Sequence, residues 1–587
     1  MSISGSHPPH RLDIGAIGWW NYDNQGDLAM LRTLEQGLAP HRIIPIDIGF
    51  RINPDELDRL NRLDYVILGG GTLLPGRPDE PFATFDQWAD QLECPLGVVG
   101  LGVDPIQEQY WPAVDALLKR ARFFFVRDRT SHLLLRDHPR VQVAPDLTFA
   151  YPLRASESDP VDAVTAPVCG VNLRRSASLD PAPWLETMAC LPVKFRGIPL
   201  SSFDVWTERA LLKQLDPECP GRFDATLYQG LDLMIGTAFH AILFAVQATV
   251  PVIAIDYAPK VRNFMEDIGL TRFLLSPDEH QRLPSLVDEV LMHRSEIVCD
   301  LQTIRERLHL EAQQNVENVR KQIEPRDQRH GHSGPVVTIM VIGSGDAKKD
   351  ERTLASCTSQ TYENLEVLFS TRTHNSVLPS LTETFRVTCV SADTQASVGA
   401  RLRQMLAQCN GEYLTWIDGG DWFARDALDC LVNRLEQERQ WDMVYADYYA
   451  MNEANLPVGY HVVAGPDKLF RRDVIGPCFM MRKALLARIG PSRVDAPLVA
   501  YDLWLRATPG SLFCPLHAPL FYSARQIKSP AFIEQERVVR RKWRRTRPAW
   551  ERATWKVVDT DFGERFIVQP VAHALNLFKR LVNAERR

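Results

Sequence analysis

The sequence predicts an α/β protein in which two Rossmann-like halves precede a further α/β domain and a basic helical tail. Short apolar runs alternate with helix-like stretches over the first 320 residues, as in βαβ units on a parallel sheet. A second such series begins after Pro167, and a third begins at Val336 behind a polar segment. The length of 587 residues suits about three to five domain-sized units.

The first two series form the predicted unit 1–323, with halves at about 12–150 and 165–323. Ligands of open parallel sheets bind at the carboxyl ends of the strands, so the halves are expected to face a cleft. Strands are predicted at Ile14–Ile17, Ile43–Ile48, Tyr65–Leu68, Leu96–Val99, Phe123–Val126, Val141–Val143, Val168–Leu173, Val193–Ile198, Leu231–Ile235 and Pro251–Ile255. Helices are predicted at Asp27–Leu38, Trp111–Lys119 and Leu301–Gln322.

Residues 324–335, EPRDQRHGHSGP, are predicted to be an interdomain linker, because they are polar and carry no periodicity. Solvation rather than metal binding is expected for His330 and His332. The domain 336–520 follows, and the tail covers 521–587. Its strands are predicted at Val336–Ile342, Leu365–Phe369, Phe385–Val390, Tyr413–Ile417 and Met443–Ala446.

Composition narrows the possible classes of protein. A hydrophobic content of 45% and a charged content of 24% exclude a disordered chain or a coiled-coil rod. The net charge of −6 argues against a nucleic-acid partner, although the tail is basic, with 16 Lys/Arg against 7 Asp/Glu. There is no C-x-x-C pair, signal-peptide-like start or long apolar run, so a cytoplasmic protein with reduced thiols is expected.

Two glycine-bearing segments of the first half are candidates for binding an anion. Residues 18–27, GWWNYDNQGD, follow a strand and open a helix, where backbone N–H groups can hold an anion. Asn24, Gly26 and Asp27 are the candidates there. Gly70 and Gly71 belong to a run of three glycines after a strand, which indicates either a tight turn or the close approach of a ligand.

Two charged or titratable residues stand at other strand ends. Arg127 precedes Asp128, and this pair either caps a helix or contributes the arginine to the cleft. His240 lies at a strand-to-helix turn over the cleft. It is either a satisfied, half-buried histidine or a general acid–base group, since histidine titrates near neutrality.

Seven motifs in order resemble the polysaccharide pyruvyl transferase family over residues 12–320. The resemblance implies a GT-B-like fold that needs no cofactor. It also implies transfer of the enolpyruvyl carbon of phosphoenolpyruvate to two sugar hydroxyls, giving a pyruvate ketal and phosphate. The motifs are GWWNYDNQGD at 18–27, GGG at 69–71, GLGVDP at 100–105, RDRTS at 127–131, VNLR at 171–174, FHAILFA at 239–245 and PVIAIDYAPK at 251–260.

The resemblance also implies roles for individual residues. His240 would protonate the methylene carbon, and Arg174 and Lys260 would hold the phosphate and carboxylate. Ala238 stands where the family usually has an anion-binding arginine, a loss for which Arg175 is a candidate substitute.

Residues 336–520 resemble the family 2 glycosyltransferases, which have a GT-A fold, through SQTYENLE at 359–366, GEY at 411–413, YAD at 445–447 and YDLWLR at 501–506. Three carboxylates of that family are missing, including the second of its D-x-D pair, where Gly420 stands. A non-catalytic domain is therefore predicted. The alternative is an active enzyme that binds Mg²⁺ or Mn²⁺ through Asp418 and Asp421.

The tail contains the basic run RVVRRKWRRTR at 537–547 and a last predicted helix near Val571–Val582. It either packs on a core or contacts the anionic surface of the inner membrane. The leading functional prediction is pyruvyl transfer to a saccharide or lipid-linked oligosaccharide precursor of a surface polysaccharide or exopolysaccharide. A sugar-nucleotide glycosyltransferase and a non-catalytic glycan-binding scaffold are the alternatives.

Overall fold

The computed structural model describes residues 11–20, 24–75, 80–151, 166–176, 178–200, 208–323, 334–370, 387–390, 396–470, 472–490, 499–524 and 537–540. The chain divides into two compact units, 1–329 and 330–587. The predicted α/β class is confirmed in both units. Most of the predicted linker 324–335 and of the tail 521–587 lies outside the described residues.

The first half of unit one is a parallel sheet of six strands in the order β2-β1-β3-β4-β5-β6. Nearly every strand residue is buried, which explains the unbroken apolar runs of the sequence. The strands are β1 Asp13–Gly18, β2 Arg42–Asp47, β3 Tyr65–Leu74, β4 Leu96–Val103, β5 Ala121–Val126 and β6 Val141–Val143. The helices are α1 Gln25–Gly37, α2 Pro54–Asn61, α3 Trp111–Arg120 and α4 Arg129–Leu134.

The three glycines at 69–71 form no turn, because β3 continues through them to Leu74. A Cβ atom on Gly69 would stand 2.7 Å from the carbonyl oxygen of Val99, and one on Gly70 2.6 Å from the Trp20 ring. The glycines therefore let β4 and a tryptophan approach the strand closely. Of the two predicted alternatives, the tight turn is wrong, and the close approach involves protein groups.

The second half is a parallel sheet of five strands in the order β11-β10-β9-β7-β8. Every residue of α7 is buried, as its run of apolar residues requires. The strands are β7 Val168–Asn172, β8 Lys194–Gly197, β9 Leu233–Gly236, β10 Val252–Ile255 and β11 Leu274–Leu275. The helices are α5 Ala182–Ala189, α6 Ala210–Leu212, α7 Phe239–Gln247, α8 Pro259–Asp267, α9 Leu283–Met292 and α10 Arg294–Gln322.

Helix α10 joins the end of the second half to the first half. The Arg320 guanidinium donates hydrogen bonds to the carbonyl oxygens of Gly37 and Ala39, at 2.5 and 3.1 Å. His309 Nδ1 lies 2.8 Å from the carbonyl oxygen of Phe149. The long polar helix of the sequence therefore packs on both halves of unit one.

Unit two is built on a mixed sheet whose main path runs β14-β13-β12-β15-β19-β17-β20-β16, with β18 paired to β17. A core packs on each face of this sheet. The strands are β12 Val337–Ile342, β13 Leu365–Ser370, β14 Thr388–Cys389, β15 Tyr413–Asp418, β16 Trp422–Phe423, β17 Met443–Met451, β18 Pro457–His461, β19 Phe479–Arg482 and β20 Phe513–Ser523. The helices are α11 Ala347–Thr358, α12 Val398–Leu406, α13 Ala427–Gln437, α14 Lys483–Ile489 and α15 Val499–Ala507.

The boundary predicted after residue 520 falls inside β20. This strand continues to Ser523, because Phe521 and Tyr522 pair with the two residues of β16. Val539 is also buried in a core of the second unit. The domain thus takes in the start of the predicted tail. None of the helices that the structure describes is long and apolar enough to cross a membrane.

Candidate active site

The site lies where the start of α1 in the first half meets the start of α7 in the second. The backbone N–H of Gln25 donates to the carbonyl oxygen of Leu200 across the two halves, at 3.0 Å. Gly26 faces the imidazole of His240 so closely that a Cβ atom there would overlap the ring. Two residues that the sequence places more than 200 positions apart are therefore in direct contact.

Asn24 builds the start of α1. Its side-chain oxygen accepts the N–H of Gly26 at 3.1 Å, which caps the first turn of the helix. Its carbonyl oxygen accepts the N–H of Leu28. Asn24 therefore has a capping role, and the residue that meets His240 is Gly26.

Asn172 holds the start of α7. This fully buried residue ends β7, and its side-chain oxygen accepts the N–H of Ala238 at 3.0 Å. Its amide donates to the carbonyl oxygen of Ile198 at 2.9 Å and to the Glu208 carboxylate. The turn that carries His240 is thus fixed to the ends of two neighbouring strands.

His240 is 7% exposed, and its ring packs beside Phe239 and Phe244. Its Nε2 atom lies 3.9 Å from a carboxylate oxygen of Asp146. Burial lowers the pKa of His240 well below its ordinary value of 6.5, and the positive charges of the site lower that pKa further. The imidazole of the ligand-free protein is therefore neutral at pH 7.

Three cationic side chains act on this imidazole, and each comes from a different element. Arg127, at the end of β5, donates to the Thr72 hydroxyl at 2.8 Å, and its guanidinium lies 4.4 Å from the centre of the Phe239 ring. Arg174 follows β7 and pairs with Glu208 at 3.6 Å. Lys260 lies in the first turn of α8 and is half-buried.

His240, Arg127, Arg174 and Lys260 form a cluster, and two buried carboxyl groups, Asp27 and Asp146, complete it. Burial raises the pKa of Asp27 to about 7, although Lys260 and Arg127 act to lower it. Burial also raises the pKa of Asp146, whose other carboxylate oxygen accepts the N–H and the hydroxyl of Thr148. A cavity of about 210 Å³ lies beside this cluster and is lined by Arg127, Asp146, Phe239, Lys260 and Phe264, among others.

The remaining predicted residues of unit one lie around this cluster or apart from it. The Trp20 ring lies against Gly70, whereas Gly71 borders the Asp27 carboxyl. Asp128 caps α4 through the N–H of Ser131 at 2.7 Å, as one alternative for the pair 127–128 predicted. Binding of the substrate by Arg127 stays a prediction. Arg175 is exposed and lines a different cavity, against α5.

In unit two, the Asp421 carboxylate points into the protein. It accepts the N–H of Ala524 at 2.7 Å and contacts the Ser523 hydroxyl, and burial raises its pKa to about 7. Arg352 lies over the Trp422 ring at 4.1 Å and donates to the carbonyl oxygen of Gly420.

These contacts engage the Asp421 carboxylate with Ser523 and Ala524, and its role as a metal ligand stays a prediction. Asp418 ends β15 and is half-buried. No cluster of three His, Cys, Asp or Glu side chains suited to a metal occurs in the part of the chain that the structure describes.

Comparison with known proteins identifies two segments. A family model for polysaccharide pyruvyl transferases matches residues 24–194, and one for family 2 glycosyl transferases matches residues 350–490. The chain therefore carries a segment similar to polysaccharide pyruvyl transferases, followed by a segment similar to family 2 glycosyl transferases. The resemblance read from the sequence is therefore confirmed.

Individual relatives add little to this assignment. Glycosyltransferase GlyA of Streptococcus pneumoniae is 25% identical over 114 residues, which are 19% of this chain and 16% of that protein. Staphylococcus aureus TarS is 13% identical, with a TM-score of 0.29, over 39% of this chain and 40% of that one. The mannosyltransferase PcManGT of Pyrobaculum calidifontis was solved with GDP-Man and Mn²⁺. It is 19% identical, with a TM-score of 0.29, over 37% of this chain and 66% of that one. The chain thus spans a small part of its curated relative, and these TM-scores support no conclusion.

The pyruvyl transferase match ends at residue 194, before His240 and Lys260. It contains Gly26, Arg127 and Arg174, and the fold brings these residues to the same place as His240 and Lys260. The matched range thus takes in the start of the second half, and His240 and Lys260 lie outside it.

Three buried residues of the site were not predicted from the sequence as functional candidates: Asp146, Asn172 and Glu208. Asn172 could have been found from its position in the VNLR motif. Asp146 could have been found from its position shortly after β6. Glu208 has no such signal, because its partners Asn172 and Arg174 are brought to it only by the fold.

Proposed function

We propose that unit one transfers the pyruvyl group of phosphoenolpyruvate to two hydroxyl groups of a saccharide, forming a ketal and releasing phosphate. The observation that carries this proposal is the buried His240, which meets Gly26 of the facing half. Arg127 lies over the adjoining Phe239 ring, and Arg127 and Lys260 line one cavity. The pyruvyl transferase match supports it from the sequence.

The charges of the site suit this substrate. Phosphoenolpyruvate carries a phosphate and a carboxylate, which arginine and lysine bind through charge-assisted hydrogen bonds. The raised pKa values of Asp27 and Asp146 favour neutral carboxyl groups, so they offset the three cations only in part. Three cationic groups thus meet at this site in a protein of negative net charge.

The arginine that the family usually has at position 238 has a substitute in this geometry. The Arg127 guanidinium lies over the ring of Phe239, the residue next to Ala238, and it comes from the facing half. Arg175, the substitute considered from the sequence, is exposed at another surface. We therefore assign the missing positive charge to Arg127.

His240 acts as the general acid in this proposal. The neutral imidazole of the free protein gains a proton when the substrate anion arrives, because that negative charge opposes the three cations. The imidazolium then gives its proton to the methylene carbon of phosphoenolpyruvate, which becomes the methyl group of the ketal. General acid catalysis of this kind contributes about 10²–10⁴-fold to a rate.

The acceptor is a saccharide or a lipid-linked oligosaccharide precursor of a surface polysaccharide or exopolysaccharide, and the reaction takes place in the cytoplasm. No cofactor takes part in this chemistry. Unit two serves as a non-catalytic glycosyltransferase-like domain, since Asp421 is tied to β20. Titration with UDP-sugars and Mn²⁺ tests this assignment, and Mn²⁺-dependent binding would favour a second, glycosyltransferase activity.

The test of pyruvyl transfer measures phosphoenolpyruvate binding by calorimetry and phosphate release with p-nitrophenyl hexosides and lipid-linked oligosaccharides. We expect release that depends on the acceptor and falls at least about 100-fold in His240→Gln. His293→Gln is the matched control, because His293 lies half-exposed between α9 and α10. Release without acceptor dependence, or undiminished release from His240→Gln, contradicts the proposal.

A further inference from the structure

Asp27 is a buried carboxyl group of this cluster. The residues that the structure describes give it no structural role. It is 5% exposed and forms no hydrogen bond or ion pair among the residues that the structure describes. It follows Gly26, which faces the His240 ring, and its Oδ1 atom lies 3.5 Å from the Cβ position of Gly71. A buried polar group of this kind needs an explanation, and a partner supplied by a substrate is one.

Formation of a ketal from phosphoenolpyruvate and two hydroxyl groups needs a base as well as an acid. The first C–O bond forms as the methylene carbon gains a proton and the hydroxyl loses one. The second C–O bond forms as the C–O bond to phosphate breaks, and the second hydroxyl proton leaves with phosphate. Both hydroxyl protons must therefore be taken up and passed on within the site.

We infer that Asp27 is the base that takes the proton from each acceptor hydroxyl, while His240 delivers one proton to the methylene carbon. The Asp27 carboxylate accepts the first proton as the first C–O bond forms, and relays it to neutral His240 after that histidine has protonated the carbon. It accepts the second proton as phosphate leaves, and gives this proton to phosphate. This inference rests on the proposed pyruvyl transfer.

The surroundings of Asp27 distinguish it from Asp146, the other buried carboxyl group near His240. Two donors of Thr148 occupy one oxygen of Asp146, and its other oxygen faces His240 Nε2 at 3.9 Å. Asp146 is therefore placed to orient the histidine. No donor among the residues that the structure describes bonds to the Asp27 carboxyl, which leaves it available to a substrate hydroxyl.

Four charged groups act on Asp27, and each comes from a different place in the fold: Arg127 after β5, Asp146 after β6, Arg174 after β7 and Lys260 from α8. Burial outweighs the three cations, so the pKa of Asp27 lies at about 7. A base whose pKa is close to the working pH combines adequate ionisation with adequate proton affinity.

The experiment compares wild-type protein with Asp27→Asn and with the control Glu35→Gln, a half-buried carboxyl of the same helix. Phosphate release from phosphoenolpyruvate and p-nitrophenyl hexosides is followed from pH 5 to 9, and phosphoenolpyruvate binding is measured by calorimetry. We expect Asp27→Asn to lose at least about 100-fold in kcat, to bind phosphoenolpyruvate within about threefold of wild type, and to lose the rise of kcat/KM between pH 6 and 8.

Each outcome decides a different point. If wild-type protein releases no phosphate with any acceptor, the proposed function fails, and the role of Asp27 falls with it. If wild type is active and Asp27→Asn retains more than a third of its kcat with an unchanged pH profile, only the role of Asp27 is overturned. The pH profile of wild type provides a second test should Asp27→Asn fold poorly, since a rate that does not rise with pH near 7 excludes this base.

Discussion

Replacement of Gly26 by alanine tests the contact on which the site depends. A Cβ atom on Gly26 would come about 1.2 Å closer to His240 than the 3.0 Å limit that real Cβ atoms observe. The ring cannot turn aside freely, because it is 7% exposed and packs on Phe239 and Phe244. We therefore expect α1 and α7 to move apart by about 1 Å.

The cost of this change follows from the same geometry. Overpacking of a buried contact costs about 1–3 kcal/mol of unfolding free energy, and a displacement of about 1 Å costs about 100-fold in rate. Phosphate release, thermal unfolding and the NMR signals of the His240 ring measure these effects. Gly221→Ala is the control, since a Cβ atom there meets only the Arg209 guanidinium, at 3.5 Å. Wild-type activity together with unchanged His240 signals in Gly26→Ala would refute this account of the site.

Four further predictions follow from other residues. Lys260→Ala should weaken phosphoenolpyruvate binding at least about tenfold in calorimetry, whereas Arg262→Ala, a mostly exposed neighbour paired with Asp256, should not. Arg175→Ala should leave that affinity within about twofold, and a larger loss in the same titration would place Arg175 at the substrate. Asp421 has a raised pKa, about 7 against 3.8, so wild type should lose stability relative to Asp421→Asn as the pH rises from 4 to 7, which thermal unfolding across that range measures. Replacing the basic residues of the tail's last predicted helix with glutamine should reduce sedimentation with anionic vesicles but not with neutral ones.

Much of the fold follows from local pattern. The apolar runs of unit one predicted ten of its eleven strands, since fully buried parallel strands are apolar throughout. The short β11 was missed, and β3 continues past its predicted end at Leu68 to Leu74. The tight turn considered for the glycines at 69–71 was wrong, because glycine is typical both of turns and of close packing contacts. Whether the Trp20 ring lies against Gly70 depends on tertiary structure alone.

The candidate site could be predicted only as far as its motifs reach. Gly26, Arg127, Arg174, His240 and Lys260 belong to recognisable motifs, and the structure brings all five to one cleft. Their electrostatic state could not be predicted, because the pKa of His240 depends on burial and on charges contributed by other strands. Arg175 is next to Arg174 in the sequence, but it lines a different cavity, against α5. Adjacency in sequence therefore did not predict its position.

The long helix α10 has a consequence for the order in which unit one completes its folding. Val316 of α10 packs on Gly37 at the end of α1, and Arg320 binds the carbonyl oxygens that follow this helix. Ribosomes extend a chain from its N-terminus, and domains generally fold as they emerge. The first half is therefore synthesised about 170 residues before its last covering helix. Until residue 320 has left the exit tunnel, α10 cannot cover the end of α1 around Gly37.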